Sequence, residues 1–300
     1  MPARRRSVLV KKKNKSRKFG ILFKIIIPVI IVVVSFAFFK LNTKYWNGED
    51  KAAFVFPDSS GNVRVTVLDP HLSEETTLII PGDTQVEVAR GYGTLRIKNV
   101  WQLGINEKVN GALLAQTVTQ NFHFPTMLWS ASGLTDTRKF IFSPGKTNIS
   151  LSDRILMAIF SLKVKSLDKT EIDLGKNQFL KKQNLADGAS GYVLSGPVSG
   201  RLTVYFSDNN LAEKNMRFGL IDATGKHGVA DGVGGILEVL GGKVISIDRR
   251  AADDTLDCVV LGEDARAVEK ISGLFSCKKS GEKTDFGVEI RLGSKFAKRF

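Results

Sequence analysis

Arg217-Phe218-Gly219-Leu220-Ile221-Asp222-Ala223-Thr224-Gly225-Lys226-His227-Gly228, followed by Val229, Val233, Ile236, Leu237 and Leu240, settles the class of fold. Residues 217–221 are a short apolar run, and Asp222 to Gly228 is turn chemistry. The five apolar residues after it recur at i, i+4, i+7, i+8 and i+11, one face of an amphipathic helix. Gly241-Gly242 stands where a helix ends, and Lys243 to Asp248 reads as a second strand. Strand, helix and strand make a βαβ unit, so this part is α/β.

Working outward, a second unit follows: a strand over 256–261, a helix through Val268, Ile271 and Phe275, and a strand over 286–292. Cys258 lies in its first strand and Cys277 just past its helix. Two cysteines with no clustered histidine exclude a zinc site. In an oxidising compartment an even count permits one disulfide, and a helix packed back on its sheet brings such positions within the roughly 4.4–6.8 Å Cα separation required. Two buried thiols are the alternative.

Upstream the chain is β-rich. Residues 53–56, 63–67, 76–80 and 85–88 read as strands, broken by Pro57 to Asn62, Asp69-Pro70 and Pro81-Gly82. Helices are expected over 107–121 and from Ile149, with Ser150 or Ser152 as N-cap, and a short strand over 124–129. No pattern emerges between 166 and 200. The expected class is α/β: a single N-terminal transmembrane helix, a β-rich α+β domain (51–200), a linker (201–215) and a small βαβ-βαβ domain (216–300).

The transmembrane reading rests on residues 19–41, where Lys24 is the only charge between Ile21 and Phe39. Nineteen residues rise about 28 Å, the thickness of a bilayer core. Residues 1–18 hold nine of the chain's 44 Lys and Arg and no acid, a bias that keeps the N-terminus in the cytoplasm and the bulk outside. Tyr45 and Trp46, after a short exit from the bilayer (linker 42–50), are expected at the interface. No aromatics interleave the basic tail, which excludes nucleic acid as its partner; the membrane is the partner instead.

Ile80-Pro81-Gly82-Asp83-Thr84, set after an Asp-Pro turn and before Gly91-Tyr92-Gly93, resembles the start of the LytR/CpsA/Psr (LCP) catalytic domain. That family moves glycopolymers from lipid pyrophosphate carriers to the cell wall and reads Ile-Pro-Arg-Asp-Thr at this point. The resemblance implies Asp83 as the site residue and Mg²⁺ as the cofactor of a transferase. Yet Gly82 replaces the arginine that clamps the pyrophosphate, and 62–66, Asn-Val-Arg-Val-Thr, lacks the family's metal-holding Arg-x-Asp. Phosphoryl transfer depends on such charge stabilisation. The C-terminal units are similar to the LytR C-terminal domain through Asp222-Ala223-Thr224-Gly225, Leu240-Gly241-Gly242 and Leu292-Gly293-Ser294-Lys295-Phe296.

Two functions follow. One is a non-catalytic envelope protein, without cofactor, that binds a cell-wall polymer or an envelope protein. The other is a transferase drawing its clamp from Arg90, Arg96, Arg138 or Arg154. Gly225, Lys226 and Gly228, at a helix N-terminus, form a candidate anion-binding turn. His71, His123 and His227 stand in unlike contexts and suggest no catalyst.

Overall fold

The computed structural model describes residues 26–27, 45–196, 200–282 and 284–300. The expected span and basic tail, Ile26 and Ile27 apart, lie outside the described residues. Among the described residues no helix is long and apolar enough to cross a membrane.

Alternating β-branched residues build an antiparallel meander from β1 (Ala52–Pro57), β2 (Val63–Asp69) and β3 (Glu74–Ile80). A hairpin of β4 (Gln85–Val88) and β5 (Gly93–Arg96) leads into α1 (Ile97–Asn106) and α2 (Ala112–Phe122). Then come β6 (Leu128–Trp129), α3 (Thr137–Phe142), α4 (Leu151–Lys163) and β7 (Lys169–Asp173). The first sheet runs β6-β1-β2-β3-β7, its two edge strands parallel to their neighbours. Successive residues of β1 serve opposite faces. Val55 joins Val65, Leu78, Leu113 and Val118 in one core, while Phe54 and Phe56 join Phe140, Met157 and Trp46 in another. Both faces of the sheet are therefore covered.

A second hairpin, β8 (Leu180–Asn184) with β9 (Ser190–Leu194), precedes α5 (Gly200–Phe206) and α6 (Asn209–Glu213). The second sheet holds β10 (Arg217–Ala223), α7 (Val229–Val239), β11 (Lys243–Arg249), β12 (Cys258–Gly262), α8 (Ala265–Phe275), β13 (Lys278–Ser280) and β14 (Val288–Gly293), with α9 (Ser294–Arg299) after it. Its order is β11-β10-β14-β12-β13. Phe206 of α5 stacks on Phe124 at 4.6 Å in the first core, which Val239 of α7 also joins, and the His123 ring is set against Gly235 of α7. Burial of that imidazole lowers its pKa, while the Glu238 charge acts in the opposite direction.

The first βαβ unit is as expected, with β10 and β11 parallel. The second differs. The strand after α8 is β13, parallel to β12, and β14 is a separate central strand antiparallel to β12. Lys278-Lys279-Ser280 has no apolar period, so this edge strand leaves no pattern in the sequence. Cys258 and Cys277 are bridged, with a Cα separation of 4.9 Å. Closing a loop of this size stabilises a fold by about 3 kcal/mol.

Other expectations are corrected. The helix placed over 107–121 begins only at Ala112, as α2, after a turn through Asn110, whose φ is +53°, and α1 before it, Ile97–Asn106, stands where no helix was expected. The strand over 124–129 shrinks to β6. The stretch 166–200 carries three strands, and the linker over 201–215 carries α5 and α6, which bury Leu202, Phe206 and Leu211. Trp46 is not at a lipid interface: it is 4% exposed, with its ring edge-on to Phe160 at 5.7 Å.

Candidate functional site

The turn Pro81-Gly82-Asp83-Thr84 links β3 to β4, and backbone bonds hold it from three sides. Gly82 N–H donates to Asn62 Oδ1 at 3.0 Å, and Gly82 C=O accepts Lys98 N–H at 3.1 Å. Tyr192 N–H of β9 donates to Asp83 C=O at 3.2 Å. A Cβ on Gly82 would stand 2.2 Å from Gly61 O, so only glycine fits. The position at which the resemblance places a clamping arginine is thus filled by the backbone of the β1–β2 turn.

The hairpin pairs Gln85 with Arg96, which brings the end of β5 beside Asp83. Asp83 Oδ1 accepts from Lys98 Nζ at 2.6 Å and from Arg96 Nη1 at 2.8 Å. Arg96 also grips both carboxylate oxygens of Asp187, the shortest bond being 2.8 Å. Two acids and two bases make a neutral network. Lys98, then Arg96, hold the Asp83 carboxyl below its ordinary range. The Ala189 backbone N–H, then Arg96, do the same for Asp187. With its folded pKa below the unfolded value, Asp83 stabilises the fold above about pH 4, and that contribution is lost as the pH falls through the depressed value. Lys98→Ala should therefore raise the Asp83 titration midpoint, followed by carboxyl NMR; an unmoved midpoint would deny the pairing its role.

The other arginines are engaged elsewhere. Arg90 bonds Gln116 Oε1 at 2.8 Å, and Arg154 reaches the carbonyls of Phe140 and Ile141. Arg138 lines a shallow depression with Asp136, Lys139, Phe142 and Ser143. Arg64 joins Asp58 at 3.0 Å to Glu171 at 2.7 Å. Only Arg96 of the four alternative clamps has a bond to Asp83. The acids do not fit Mg²⁺ either: Asp83 and Asp187 are both paired with the Arg96 cation. Among the described residues no group of three or more metal-binding side chains exists.

Gly225, Lys226 and Gly228, the candidate anion-binding turn, lie directly before α7. Gly225 and Gly228 are needed for their φ of +70° and +82°. Lys226 turns away to the Ala297 carbonyl at 3.2 Å, and the first turn of the helix already carries Asp231, paired with Arg249. His227 is exposed beside it.

No protein-family model matches the chain, and no curated protein matches it. Solved structures do. The TagT protein of Bacillus subtilis bound to LIIa-WTA is similar at 13% identity over 51% of this chain and 88% of that one, with a TM-score of 0.38. TagV of Bacillus subtilis is 12% identical over 50% and 92%, at 0.36, and Lin1025 of Listeria innocua is 10% identical over 49% and 92%, at 0.36. Likeness at this level carries no argument about the chain's own residues.

Sequence reasoning missed one constellation. Asp153, wholly buried in the first turn of α4, accepts the Trp46 N–H at 3.2 Å and the Tyr45 N–H at 3.4 Å. Ser150, the N-cap, donates its hydroxyl to Asp153 at 2.7 Å and accepts the Asp153 N–H at 3.1 Å. The signal was Ser150-x-x-Asp153, a capping pair with an acid at the third helical position. Nothing in the sequence points from there to Trp46, 107 residues earlier.

Proposed function

We propose that this chain is an extracytoplasmic protein of the cell envelope, anchored by residues 19–41 with its N-terminus in the cytoplasm. Its LCP-like body, with a LytR C-terminal-like domain, binds a cell-wall polymer or an envelope partner without transferring phosphoryl groups. The observation that carries this reading is the closed turn at Gly82. A pyrophosphate needs several cationic partners in place before it reacts. Here the clamp position is backbone, and both cations beside Asp83 are already paired with acids.

The test is release of polyprenyl phosphate from a polyprenyl-pyrophosphate glycan, with Mg²⁺ supplied, by wild type and by Asp83→Ala. No turnover is expected in either. Turnover that disappears in Asp83→Ala would overturn the reading in favour of a transferase. The Arg96–Asp83 pair is the observation on that side, since it places one alternative clamp at the expected acid.

A further inference from the structure

The helix that receives the entering chain also leaves apolar side chains in solvent. On α4, Leu151, Ile155, Ile159 and Leu162 recur at i, i+4, i+8 and i+11, a single stripe. Leu162 is 72% exposed, Ile159 40% and Leu151 47%, while Met157 on the opposite face is buried. Arg154 bonds the last carbonyls of α3 and so holds that helix alongside, where Phe142 is 75% exposed. In the turn that follows α4, Leu167 is 94% exposed. Lys139, Lys163 and Lys165, all exposed, neighbour these residues in the chain, Asp136 is an exposed acid beside Lys139 and Phe142, and no acid lies within α4 apart from the buried Asp153. Exposed apolar groups gathered on one face mark a surface that meets something.

We propose that this α3–α4 face lies on the outer surface of an anionic bilayer. The occupant follows from where the chain enters. Tyr45 and Trp46 are bound to the first turn of α4 through Asp153. Only four residue steps separate Leu41, at the end of the expected span, from Tyr45; fully extended they reach about 14 Å. With the span in a membrane, the N-terminus of α4 is tethered within that distance of the lipid headgroups. Apolar side chains on one face with lysines neighbouring them in the chain then match the interface: the rings and branched chains enter the acyl boundary and the ammonium groups reach anionic headgroups. The inference rests on the anchor reading of the preceding section, but not on whether the body transfers phosphoryl groups.

The test uses the full chain in vesicles containing anionic lipid, with a single environment-sensitive fluorophore attached at Leu162→Cys or Phe142→Cys. Ser59→Cys, exposed in the turn at the far end of β1, is the control. With brominated lipids, the labels at 142 and 162 should lose most of their emission and the label at 59 should keep it. Chains that float with the vesicles but show no quenching at 142 and 162 would overturn the docked face while leaving the anchor intact. Chains that fail to float would overturn both. Labels shielded from aqueous quencher but untouched by brominated lipid would assign the face to another protein or a second copy, and reject the proposal.

Discussion

Gly82→Arg is expected to cost more than about 3 kcal/mol of stability, and to confer no transferase activity. The cause is the first carbon of the side chain. A Cβ at this position stands 2.2 Å from Gly61 O and 2.9 Å from Gly61 C, closer than any real contact. The opposing turn cannot yield cheaply. Gly61 N–H is bonded to Asp58 O at 3.2 Å, and Asp58 Oδ1 collects the backbone N–H groups of Ser60 and Asn62, each at 2.9 Å. Displacement would also break the Asn62 bond to the Gly82 N–H. Gly82→Ala should therefore cost nearly as much as Gly82→Arg, because the length of the side chain beyond Cβ hardly matters. Urea unfolding of the three proteins would decide: an alanine variant as stable as wild type would show that the two turns are not in hard contact.

Asp153→Ala is expected to destabilise the body by about 3 kcal/mol, since it strands a buried N–H and a hydroxyl that now share a charged acceptor. The Trp46 N–H loses its acceptor at 3.2 Å, and the Ser150 hydroxyl loses its partner at 2.7 Å. Asp153→Asn keeps the shape and one acceptor oxygen, so its loss should be much smaller. The distinguishing readout is local: Asp153→Ala should open residues 45–50 to protease at denaturant concentrations that leave the wild type intact. Equal resistance in both proteins would show that the acid caps α4 without holding the entering chain.

Strands with alternating β-branched residues were legible because burial on one or both faces writes a period into the sequence. β2, Val63-Arg64-Val65-Thr66-Val67, is the plainest case, and the helical stripe from Val229 to Leu240 is as clear. The elements that escaped had no such imprint. β7 to β9 include Lys169-Thr170-Glu171 and Lys181-Lys182-Gln183, whose side chains face water and obey no burial rule. α1 begins directly after β5 with Arg96 at its N-cap and no capping side chain, so its start carries no punctuation. At the candidate site Asp83 was found through motif resemblance, whereas its partners come from pairing. Arg96 arrives through hairpin register and Asp187 through the β8–β9 turn, 91 residues from Arg96.

The central place of β14 governs how the second sheet can assemble. β10 with β11, and β12 with β13, are each joined by one helix and close over short stretches of chain. Neither pair touches the other until β14 is threaded between them, parallel to β10 and antiparallel to β12. The loop that must close to seat β14 on β10 spans some seventy residues, so this step carries the largest entropic barrier of the sheet. Two half-sheets, one already cross-linked through Cys258 and Cys277, would form first and wait with open edges. That interval is when unpaired strand edges are open to pairing with a neighbouring chain.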